Sequence, residues 1–198
     1  MPPPTTTLHP NRRQTLLLAA GAACGLVQAQ SGPGGFWPLL RQGGCVVLMR
    51  HAQTETGAGD PPGFTLGRCE TQRNLSAAGR AQAGRVGEAF RREDIAIAAV
   101  RSSAWCRCTD TARLAFGRYT VWPAINSFFQ GQGDSGQQTR EVLETVAALR
   151  APVNWVLVTH QVNITALTGE HPAMGELFLT RADPAAPGRL KLLARHTV

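Results

Sequence analysis

Three nearly uninterrupted apolar runs, "CVVLM" (45–49), "IAIAAV" (95–100) and "VNWVLV" (153–158), constrain this chain most. A strand with one wet face alternates polar and apolar residues, whereas consecutive apolar residues suit strands buried on both faces, as in a parallel sheet covered by helices. The intervening stretches read as helices. Ser76 is placed to cap a helix running to about Arg92, 108–116 is helical, and 137–150 sets Val142, Leu143, Val146 and Leu149 on one face. "QVNITALTG" (161–169) predicts a short helix ending at a glycine. "YTVW" (119–122) reads as a short strand stopped by Pro123, and 176–180 and 189–194 as closing strands. Glycine and proline mark 53–75 as a loop, and 127–136 is a second. Strands alternating with helices predict a three-layer α/β/α fold with a mostly parallel central sheet. At 198 residues, one domain is expected.

The residues that end each apolar run are chemically uniform. The first run ends on Arg50 and His51, the second on Arg101 and then Arg107, the third on Thr159 and His160. In open α/β sheets, ligands bind at the carboxyl ends of the strands, and helix starts there favour anions. Arginine and histidine converging on one sheet edge suit a compact, doubly charged group such as phosphoryl, which a guanidinium can hold through two oxygens. The formal charge of +7 is carried almost wholly by arginine, Lys191 being the only lysine. Without a dense basic block or aromatic-basic interleaving, no nucleic-acid partner is expected. No Walker loop, G-x-G-x-x-G or zinc-ligand spacing is present, so neither cofactor nor metal is expected.

Residues 1–29 have the layout of an export signal: Arg12 and Arg13, an apolar run from Leu16 to Val27, and "VQA" as a cleavage site. The arginine pair is twin-arginine-like; a general secretory signal and a lipoprotein anchor at Cys24 are the alternatives. The apolar run is too short for a membrane span of about 20 residues, so no stable span is expected after cleavage. Residues 30–40 then read as a flexible lead-in and 41–198 as the domain, in a periplasmic or secreted protein. In that setting the even set Cys45, Cys69, Cys106 and Cys108 permits a disulfide, expected between Cys69 and either Cys106 or Cys108.

The motifs resemble those of the histidine phosphatase superfamily, which includes phosphoglycerate mutases and many acid phosphatases. "LMRHAQTE" is similar to its Arg-His-Gly motif with Ala52 in the glycine position, "SAWCRCTDTA" (103–112) to its second arginine motif, and "VLVTHQVNITALTG" (156–169) to its second histidine motif. "CETQRNLSAAGRAQA" (69–83) is similar to exported bacterial members, including lipopolysaccharide core heptose phosphate phosphatases. The resemblance implies a metal-independent phosphatase. His51 is its nucleophile, and Arg50, Arg107 and His160 hold the phosphate. Many members also use a carboxylic acid to protonate the leaving group; here Asp134 and Glu55 are the candidates. Arg73, with Arg68, is a candidate for the outer part of the substrate, and Gln161 and Asn163 for shaping the pocket. The expected substrate is a phosphorylated small molecule or envelope glycan. The rival expectations are a binding protein of the same fold without turnover, and a mutase.

Overall fold

The computed structural model describes residues 35–198, together with residues 1, 2 and 4. The expected export signal therefore lies outside the described residues, bar those three.

The elements run α1 (Phe36–Arg41), β1 (Val46–Arg50), α2 (Ala77–Arg92), β2 (Ala99–Ser102), α3 (Cys106–Phe116), β3 (Thr120–Val121), α4 (Ser135–Ala147), β4 (Trp155–Thr159), α5 (Gln161–Thr168), β5 (Leu177–Ala182) and β6 (Leu190–His196). The sheet has the order β3-β2-β4-β1-β5-β6. Its first four strands are parallel, and β5 and β6 join antiparallel. The expected mostly parallel α/β fold is the one formed.

The consecutive apolar residues of the strands serve two cores. Val47, Met49, Val156, Val158, Leu177 and Leu179 pack with α1, α2 and α3 on one face. Val46, Leu48, Leu157 and Phe178 pack with α4 and α5 on the other. The single polar residue in the third run, Asn154, is buried and satisfied: its Oδ1 accepts from the Cys45 amide at 3.1 Å and its Nδ2 donates to Leu40 O at 2.9 Å. Ser76 caps α2 by accepting from the Gly79 amide, and Gly169 ends α5 with φ +83°.

Two expectations are corrected. The lead-in drawn over 30–40 gives way at Phe36, where Phe36 and Leu40 bury themselves against the core as one face of α1. The second strand begins at Ala99 and not at Ile95. Asp94 turns the chain with φ +51°, and the Ile95 amide reaches back to Phe90 O, so Ile95 and Ile97 pack under the end of α2 before pairing starts.

Helices α2 and α3 approach closely at Gly87, where an added Cβ would collide with the Ala115 carbonyl. Gly87→Ala is expected to lower the urea midpoint by an amount equivalent to about 1–3 kcal/mol, as overpacking does. Gly84→Ala on the same helix meets nothing within 4 Å and is expected to stabilise by a fraction of a kilocalorie, roughly 0.5–1 kcal/mol. Chemical denaturation of the two variants checks the contrast.

Candidate active site

The carboxyl ends of β1 and β4 are adjacent, and the His51 amide donates to Thr159 O at 2.9 Å. That register sets His51 beside His160, with ring centroids 5.6 Å apart. Arg107 enters on the first turn of α3, which comes after β2. The centre of the site is buried: His51 is 3% exposed, and Arg107 and His160 4% each.

Hydrogen bonding fixes the protonation of both rings. His51 Nδ1 lies 2.9 Å from Ala52 O, a carbonyl that can only accept, so Nδ1 carries the proton and Nε2 keeps its lone pair. Burial and then the positive charge of Arg107 push His51 down to about 3, so the ring is neutral at ordinary pH. On His160, Arg107 Nη2 faces Nδ1 at 3.4 Å as a donor, so Nε2 carries the proton and donates to Ser103 Oγ at 2.8 Å. Ser103 Oγ in turn donates to Asn126 Oδ1 at 3.3 Å. Burial, Arg107 and His51 hold His160 well below its ordinary value.

The arginines are held by their surroundings and left partly unused. Arg50 Nη1 donates to Pro172 O at 3.0 Å, and the Gly175 amide ties that segment back to Arg50 O and His51 O. The Nε atoms of Arg50 and Arg107 are buried without a partner. Arg73 also comes to the site: it donates through Nη1 to Thr54 Oγ1 and through Nε to Gly59 O, and its charge helps lower Arg50, His51 and His160. Such a set of preorganised donors with open valences fits a tetrahedral oxyanion. Ala52 is wholly buried, and its amide donates to Thr111 Oγ1 at 3.0 Å.

Other candidates stand elsewhere. Asp134 caps α4, accepting from the Gln137 amide at 2.9 Å. Glu55 is exposed, and among the described residues neither acid bonds to Arg50, His51, Arg107 or His160. Arg68 pairs with Glu70 on the surface. Arg101 stacks on Trp122 and Trp155 instead of joining the site. Asn163 Nδ2 donates to Asn126 O at 2.8 Å, which steadies the loop carrying Asn126. The residue that sequence reasoning passed over is Asp60. Its Oδ1 accepts from Arg107 Nη1 at 2.7 Å and from the Arg73 amide at 3.0 Å, and its Oδ2 from Trp105 Nε1 at 3.0 Å. Burial alone would raise Asp60, but these donors, Arg107 foremost, keep it below the ordinary carboxylate value. Cys69 and Cys106 form a disulfide that ties this loop to the start of α3. Among the described residues no cluster of side chains could hold a metal ion, and no helix is long and apolar enough to cross a membrane.

Residues 46–132 match the histidine phosphatase superfamily (branch 1). Solved structures of similar fold include the protein histidine phosphatase SixA complexed with tungstate (15% identity, TM-score 0.53, covering 77% of this chain and 96% of that one). They also include a phosphoserine phosphatase mutant from Entamoeba histolytica in complex with phosphoserine (14%, 0.55, 76% and 95%). A mycobacterial glucosyl-3-phosphoglycerate phosphatase is a third (15%, 0.55, 75% and 96%). No curated protein matches the chain. The family match covers residues 46–132, and the solved structures share the fold of this chain.

Both site histidines titrate lower in the folded protein than in the unfolded chain, whose histidines sit near 6.5. Between pH 6.5 and about 3 the unfolded state therefore binds more protons, and stability falls as pH falls through this window. His196 is lowered as well and adds in the same direction. Urea unfolding from pH 7 to 4 is expected to show the loss, with a shallower slope in His51→Gln.

Proposed function

We propose that this chain is a phosphatase that hydrolyses a phosphate monoester through a phosphohistidine on His51. The observation that carries the reading is the bare, neutral Nε2 of His51 set beside the buried Arg107 and His160 and the partly buried Arg50. The tungstate in the SixA structure and the phosphoserine in the Entamoeba structure support an oxyanion in such a fold.

In the first step the Nε2 lone pair attacks phosphorus. An N–P bond forms and the P–O bond to the leaving group breaks. In the second, water attacks the phosphohistidine, the N–P bond breaks, and inorganic phosphate leaves with neutral His51 restored. Arg50 and Arg107 stabilise the equatorial oxygens through Nε and Nη donors. A bound dianion offsets the arginine charge around His160 and so raises its proton affinity. In this mechanism arginines supply the positive field, with no metal. The substrate would be a phosphorylated small molecule or envelope glycan met in the periplasm or outside the cell; the Cys69–Cys106 disulfide supports an oxidising compartment.

One observation favours a second reading, a phosphate-ligand binding protein without turnover. The carboxyl group bonded at the site, Asp60, is held in its ionised form by three donors and is not a ready proton source.

Phosphate release from an aryl phosphate, whose leaving group needs little protonation, separates the two. We expect hydrolysis by the wild type, loss of at least about a thousandfold in His51→Ala, comparable to removal of a nucleophile elsewhere, and no change with a metal chelator. Binding of inorganic phosphate with no release from either protein would establish the second reading.

A further inference from the structure

The proposed nucleophile sits in a tight place: an in-line attack needs phosphorus about 3–3.5 Å from the attacking atom, and His51 is only 3% exposed. The covering group closest to the chemistry is Asp60, which is bonded directly to the arginine that the phosphoryl group needs. Arg107 and Asp60 are both buried, their side chains 5% and 6% exposed. Asp60 arrives on a glycine-rich segment, in which Gly57, Gly59, Gly63 and Gly67 all have positive φ, which L side chains resist, and which Phe64 holds against Trp105. On its far side the loop is fixed by the Cys69–Cys106 disulfide and by Gln72 Oε1, which accepts from the Cys106 amide at 2.9 Å. On its near side Thr54 pairs with Leu75. Between these anchors, Asp60 is the segment's charged link to the catalytic corner.

We propose that Asp60 is an internal latch: its carboxylate occupies the phosphoryl seat on Arg107 in the resting protein, and an incoming phosphoryl dianion displaces it, swinging residues 56–67 outward. The latch rests on reading the pocket as a phosphate site and goes beyond it, because it assigns the closed state a cause. One carboxylate with a single charge is exchanged for a group with two charges and more oxygens, so substrate itself opens the site. A ligand with no greater charge than a carboxylate gains little by the exchange. The disulfide confines the movement to the glycine-rich part and leaves Arg73 near the seat.

The test is hydrogen exchange of the wild-type protein with and without inorganic phosphate, beside phosphate calorimetry on wild type and Asp60→Asn. The latch predicts that phosphate speeds exchange across 56–67 while slowing it in β1 and β4. It predicts that Asp60→Asn exchanges rapidly there without ligand and binds phosphate at least about tenfold more tightly, because the competent fraction is larger. Slower exchange across 56–67 on phosphate binding would overturn the latch while leaving the pocket intact. A fall in kcat for an aryl phosphate with unchanged phosphate affinity would place Asp60 in the chemistry and overturn it too. Phosphate that binds neither protein would overturn the pocket reading and the latch with it.

Discussion

Three guanidinium groups, Arg107 buried and Arg50 and Arg73 partly buried, share one corner of this protein with a single carboxylate beside them. Arg50, Arg73 and Arg107 each act on the same two histidines, and Asp60 is the anion bonded among them. Burying like charges together is costly, and two positive charges remain unbalanced. The surroundings accept that cost only in part: carbonyls of Pro172 and Gly59 take up donors, and two Nε atoms are left unsatisfied. In the proposed function, a compact dianion supplies the charge and the acceptors that this corner lacks. Burial first, and the same field behind it, keep His51 neutral, which is the state the proposed nucleophile needs.

The fold brings this corner together by topology. β1 and β4 lie side by side in the middle of the sheet, so residues over a hundred positions apart end at one edge. α3 starts at the same edge and is fixed there covalently by Cys106 and through Thr111, which accepts from the Ala52 amide. Ser103 and Asn126 complete the frame by setting the tautomer of His160. These supports come from the stretch after β2 and from the connection after β3, so the geometry depends on several parts of the sheet and not on one motif.

Much of this was legible because periodicity and strand ends carry it. The run 45–49 lacks alternation since both faces are covered, and Arg50 and His51 come directly after it. Arg107 and His160 could be read for the same reason. Asp60 was not legible in that way. It sits in a glycine- and proline-rich loop, where no period tells which side chain turns inward, and its partner Arg107 is far along the chain. The acidic candidates Asp134 and Glu55 were chosen by nearness in sequence, which says little about a site assembled from separate connections; Asp134 is occupied as a helix cap. α1 was missed because six residues are too few to show a helical period, although Phe36 and Leu40 are spaced to share one face. The disulfide was narrowed to two partners; fold geometry selects Cys106 at the start of α3 over Cys108, which turns into the core near His160.

The central claim is that His51 receives the phosphoryl group. Rapid quenching of the protein during turnover of a radiolabelled aryl phosphate, and then mapping of the labelled peptide, tests it most directly. The account predicts an acid-labile, base-stable label on His51 that forms and decays at rates matching turnover. Turnover with no labelled protein, or with the label on any other residue, would contradict it.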